Sequence, residues 1–95
     1  VDENIGLAET FLLHHPYPNP FNPVITIRYT IPMSGQYAIH IYSVTGRLIK
    51  TLIHNHFSAG HYAAKWDASG LASGVYWLKM ESVNHIQVNK ITLIK

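Results

Sequence analysis

Between Val24 and Ile31 the chain alternates without a break. Ile25, Ile27, Tyr29 and Ile31 are apolar or aromatic, and Thr26, Arg28 and Thr30 between them are polar. A period of two is a β-strand with one buried face, because successive side chains leave a strand on opposite sides. The pattern returns in Gln36–Ser43, with Tyr37, Ile39 and Ile41 inward and His40 outward. It returns in His61–Asp67 (Tyr62, Ala64 and Trp66 on one face) and in Val75–Ser82, where Tyr76, Leu78 and Met80 oppose Val75, Trp77 and Lys79. Gln87–Lys95 closes the chain with Ile91 and Leu93 inward. Thr10–Leu13 is a short strand, and Arg47–Ile53 breaks strict alternation, as a bulge or an edge position would require.

Seven short strands at spacings of roughly 8–12 residues, with no sustained helical period, predict an all-β fold. The expected architecture is a seven-stranded antiparallel β-sandwich of the immunoglobulin-like kind, its two sheets burying one face each. Between the strands, His54–Gly60 is expected as a loop, Ala68–Gly74 as a turn-rich connection and Val83–Ile86 as a hairpin loop. Residues 1–9, with Asp2, Glu3 and Glu9, are expected to be a linker from an upstream domain, leaving 10–95 as the folded unit. The opening Val1-Asp2-Glu3-Asn4 is neither an initiator Met nor a signal peptide, so the chain is expected to be part of a longer protein.

Pro16, Pro18, Pro20 and Pro23 crowd the stretch before the first long strand. Each lacks an N–H and biases the residue before it toward extended backbone, so this segment is neither helix nor central strand. It is expected to cap a sheet edge, with Tyr17 and Phe21 anchoring it by packing.

Charge and composition exclude several classes of function. The net charge is only +2, and the seven Lys and Arg are dispersed, which leaves no phosphate-tracking patch for nucleic acid. There is no cysteine, hence no disulfide, thiolate metal site or Cys nucleophile. No apolar run is long enough to span a membrane. Outside the linker the acids are Asp67 and Glu81 alone, in different elements, and Ser69 and Ser73 lie in turns without a nucleophile-elbow context. No catalytic site is expected. His54, His56 and His61 are near in sequence, and Asp67 with Asn19 or Asn22 offers oxygens to a hard cation. Too few carboxylates accompany either set, and no metal or other cofactor is expected.

Several motifs stand in order along the chain: Tyr17-Pro18-Asn19-Pro20-Phe21-Asn22-Pro23, Ile25-x-Ile27-x-Tyr29-x-Ile31-Pro32, Ile41-Tyr42-x-x-x-Gly46-Arg47, Ala59-Gly60-His61, Trp66-Asp67, Leu71-Ala72-Ser73-Gly74-Val75-Tyr76 and Lys90-Ile91-x-Leu93-Ile94-Lys95. Together they resemble the C-terminal sorting domains of the type IX secretion system (type A), over about residues 10–95; the Ig-like domain of flagellar hook-capping proteins shares much of the pattern. Ser43 stands where the sorting family commonly has Asp after the Tyr, and seven His are unusual for it.

The resemblance implies a seven-stranded Ig-like sandwich that ends a secreted protein and directs it across the outer membrane. Implied partners are the type IX translocon, a sortase-like peptidase that removes the domain, and the upstream cargo. Implied localisation is the periplasm in transit, then the medium or the cell surface. Lys90, Ile91, Leu93, Ile94 and Lys95 are the expected recognition residues. The other motif residues, from Tyr17 to Pro23 with Gly46, Arg47, Trp66, Asp67, Gly74 and Tyr76, are expected to be structural. The domain is expected to be a monomer. Two alternatives stand beside this reading: a carbohydrate-binding or adhesion module using outward Trp77, Tyr42 and Val75, and a passive Ig-like spacer.

Overall fold

The computed structural model describes residues 12–83 and 85–95. Seven strands follow in order: β1 Leu12–Leu13, β2 Val24–Ile31, β3 Gly35–Ser43, β4 Leu48–Phe57, β5 Gly60–Asp67, β6 Gly74–Glu81 and β7 Ile86–Leu93. They form two antiparallel sheets, ordered β1-β2-β5 and β4-β3-β6-β7. The described residues contain no helix. The fold is the expected β-sandwich. The expected linker, 1–9, lies outside the described residues.

The core is the set of positions the alternation marks. Ile25, Ile27, Tyr29 and Ile31 from β2 meet Tyr37, Ile39, Ile41, Tyr76, Leu78, Met80, Ile91 and Leu93 from the larger sheet, all buried. Rings close both ends of this core. Trp66 packs on Phe21 (centroids 5.9 Å apart) and on Tyr76 (6.0 Å) at one end. At the other, Tyr29 stacks on Tyr62 at 5.6 Å and meets the edge of Phe57 at 5.9 Å. Burial raises the pKa of the Tyr29 phenol, and the neighbouring Tyr62 adds to the shift.

Two expectations need correction. The predicted loop from His54 is strand as far as Phe57, and only Ser58 and Ala59 separate β4 from β5. The irregular apolar pattern of β4 arises because its register against β3 shifts twice, leaving Leu52 and Ile49 as extra residues. β4 is also an edge strand. Tyr17 is half exposed (50%) and holds the Pro-rich segment by its backbone bonds to Thr26 and not by side-chain packing, whereas Phe21, 1% exposed, anchors it by packing.

Pairing fixes the polarity of the molecule. Leu12 lies opposite Thr30, near the end where β2 turns into β3. Leu93 lies opposite Gly74, at the end carrying the 44–47 and 68–73 turns. The described chain therefore enters at one end of a body 47 Å long and leaves at the other.

Candidate functional site at the terminal strand

β7 is an edge strand by topology, yet its outer edge is occupied. The Asn19 amide donates to Lys90 O (3.0 Å) and accepts from Thr92 N (3.0 Å), as a backbone unit of a neighbouring strand would. Phe21 continues the pairing, donating to Thr92 O at 2.9 Å and accepting from Ile94 N at 2.9 Å. Phe21 and Leu93 thus form a parallel bridge. The bonds Tyr17–Pro18, Asn19–Pro20 and Asn22–Pro23 are cis. The segment caps a sheet edge as its prolines predict, and Asn19 and Phe21, which lie between them, supply the polar groups.

The lacing extends upstream. Leu13 N donates to Gln87 Oε1 at 2.6 Å, and Tyr17 exchanges two backbone bonds with Thr26 of β2. The incoming segment therefore lies between the two sheets' edges and ties the terminal strand to the rest of the domain.

The five expected recognition residues divide by exposure. Ile91 and Leu93 are core, at 0% and 1% exposed. Lys90 and Lys95 are exposed, and Ile94 is 52% exposed. Beyond β7, Lys95 N donates to Ser73 Oγ at 3.0 Å, which holds the last residue against the 68–73 turn.

The structural motif residues gather around that end. Gly46 takes a φ of +92° in the β3–β4 turn, a conformation that disfavours side chains, and Arg47 N bonds back to Ser43 O γ at 3.2 Å. Trp66 and Tyr76 lie in the core beneath, and the Tyr76 hydroxyl donates to Ala72 O at 2.7 Å. The Asp67 carboxylate accepts from the Ser69 N–H (2.9 Å) and from the Ser69 hydroxyl. Those bonds favour the ionised carboxylate and hold it below its usual pKa. Asp67 is thus a turn residue bonded to its own loop, while Asn19 faces β7.

The three histidines His54, His56 and His61 do not converge. His54 and His56 lie on one face of β4, but His61 is in the other sheet, where Nδ1 contacts Thr30 Oγ1 at 3.0 Å. No group of three or more His, Asp or Glu positioned for a metal occurs among the described residues.

One polar relay escaped the sequence reading because its members are far apart in the chain. On the outer face of the larger sheet, His40 Nδ1 contacts Thr51 Oγ1 at 3.0 Å and Nε2 meets Glu81 at 3.1 Å. Outward alternation was the only available signal. Hydroxyl, imidazole and carboxylate stand in the order that nucleophilic catalysis uses, but on an open sheet face. Ladder N–H groups lie in the plane of a sheet, so this face does not aim a donor pair at a developing oxyanion. Beside the relay, Lys79 Nζ lies 5.6 Å over the Tyr42 ring, which covers that ring with the domain's own cation.

The comparisons with known proteins bear on this end of the molecule. A family model described as a secretion system C-terminal sorting domain matches residues 15–95. The chain belongs to this family. Its match starts at the Pro-rich strap and runs through the terminal strand, so the two halves of the laced edge are both part of the family pattern. The sorting domain is also similar to part of a solved structure of PorZ, an essential bacterial surface component of the type-IX secretion system of Porphyromonas gingivalis. That match has a TM-score of 0.60 and 25% identity, and covers 85% of this chain but 11% of the PorZ chain. A search of curated protein sequences returns no match.

Proposed function

We propose that this sorting domain directs an upstream cargo protein across the outer membrane by the type IX system, and that a sortase-like peptidase then removes it. Transit runs through the periplasm to the medium or the cell surface. The domain is a signal read by protein machinery and is not an enzyme. The observation that carries the reading is the match to a secretion system C-terminal sorting domain over residues 15–95, which takes in the terminal strand. The incoming chain arrives at one end, while Lys90, Ile94 and Lys95 are exposed on the terminal strand and beyond it at the other. Ile91 and Leu93 contribute by packing, since buried side chains position the strand and are not themselves touched. Removal falls in residues 3–10, outside the described residues.

The test is export of the full chain fused to a reporter in a type IX-competent cell. Deleting the last five residues removes Ile91 and Leu93 from the core and should abolish export. The double variant Ile94→Asp/Lys95→Glu spares the core, and should cut export while leaving the far-UV circular dichroism of the purified domain unchanged. Undiminished export of the five-residue deletion would overturn the sorting role. Undiminished export of the double variant alone would overturn recognition through the exposed end.

A further inference from the structure

Two open sheets have four edge strands, and each exposed edge is a row of unpaired N–H and C=O groups ready to accept another strand. Three of the four are blunted here. β1 has two described residues. β7 is closed by Asn19 and Phe21. β4 is bent by its two register shifts. Among the described residues β5 remains: eight residues, Gly60–Asp67, in unbroken register with β2.

The direction of its edge groups follows from β2. Thr26 exchanges both backbone bonds with Tyr17, and Arg28 O accepts from His14 N, so even-numbered β2 residues bond away from β5. Alternation turns Ile25, Ile27, Tyr29 and Ile31 toward β5, where they meet Trp66, Ala64, Tyr62 and Gly60. The N–H and C=O groups of His61, Ala63, Lys65 and Asp67 therefore point out of the sheet.

We propose that β5 is an association edge for a second copy of this chain, pairing antiparallel about a two-fold axis at Ala64. This replaces the sequence expectation of a monomer and is independent of the sorting role. The register is selected by side-chain pairing, which sets an imidazole opposite a carboxylate and keeps Lys65 from facing itself. With Ala64 opposite itself, His61 faces Asp67 of the second copy, twice over, and Lys65 faces Ala63. A slip of two residues one way sets His61 against Lys65, and the other way sets Lys65 against itself. Slips of one residue misalign the outward-pointing groups. In the favoured register Tyr62 and Trp66, both on the core-facing side, meet across the junction, and the small Ala64 leaves room for them. The product is one six-stranded sheet, β1-β2-β5-β5-β2-β1.

Sedimentation equilibrium of the 95-residue chain should show a reversible dimer. Ala63→Pro deletes an edge donor that makes no bond to β2, so it should give a folded monomer with an unchanged circular dichroism spectrum. His61→Glu, which sets two carboxylates against each other at both ends, should weaken the dimer roughly tenfold. The chain has no cysteine, so Ala64→Cys introduces a single thiol on the axis. Directly opposed non-hydrogen-bonded residues lie about 4.5 Å apart at Cα, within disulfide range. Ala64→Cys should therefore oxidise to a covalent dimer much faster than Lys65→Cys, whose opposite residue is Ala63. A wild-type chain that stays monomeric at its highest soluble concentration overturns the proposal. So does a dimer that survives Ala63→Pro in a folded protein, or equal cross-linking by the two cysteine variants.

Discussion

At the scale of single residues, polar side chains here substitute for backbone. The Asn19 amide takes the place of a ladder unit against Lys90 and Thr92, and Asp67 satisfies the amide of Ser69 where β5 turns away from its sheet. Asp67 has a consequence in acid. Its carboxyl is held below the ordinary value by the Ser69 hydroxyl and N–H, so protonation is disfavoured in the folded state. A depressed folded pKa adds stability that is present above the unfolded value and lost as pH falls through the folded one. Asp67→Asn should therefore be less stable than wild type at neutral pH. The gap should narrow below about pH 4, where the unfolded carboxyl begins to protonate. Urea midpoints measured from pH 7 to pH 2 check the convergence, and a constant gap would mean the carboxylate charge plays no part.

At the scale of elements, β3, β5 and β6 open alike. Each begins Gly-x-Tyr (Gly35–Tyr37, Gly60–Tyr62, Gly74–Tyr76), and each tyrosine hydroxyl donates to the carbonyl four residues upstream, on Met33, Ser58 and Ala72. The ring lies back over the glycine at Gly35 and Gly60, where an added Cβ would sit 3.6 Å from a ring carbon. This repeated start is visible in the sequence, but its meaning depends on the turn before each strand, which spacing alone does not disclose. The other element-scale device is the laced edge of β7. Asn19→Ala removes two of its four outer bonds and should cost about 1–2 kcal/mol. The loss should be local: amide exchange at Thr92, whose N–H bonds Asn19, should accelerate far more than exchange in central β3. Equal acceleration everywhere would show that the strap has no special hold on the terminal strand.

At the scale of the molecule, one core serves both sheets. Ile27 in the smaller sheet and Leu78 in the larger are each fully buried at 0% exposure. Truncation of either to Ala should cost about 2–5 kcal/mol by lost burial and the cavity left behind. Both variants should keep a single unfolding transition, with Trp66 fluorescence and far-UV circular dichroism coincident. Separate transitions would mean the sheets are stabilised independently. The same global layout places Leu12 and the exposed terminal residues at opposite ends of the sandwich.

The alternation that begins at Val24 determined the sheets' buried faces, because side-chain direction in a strand is a local property. It placed Ile25, Ile39, Leu78 and Ile91 in the core, and the prolines marked a segment that had to lie at an edge. The ordered motifs carried the family. Tertiary structure alone decided which edge the prolines cover, because Asn19 finds Lys90 and Thr92 more than seventy positions away. It alone carried β4 through His54–Phe57, where pairing with β3 overrides a polar, loop-like composition. And it alone divided the terminal residues into a buried pair and an exposed set, since the turn holding Lys95 and the strap holding Ile94 come from distant parts of the chain.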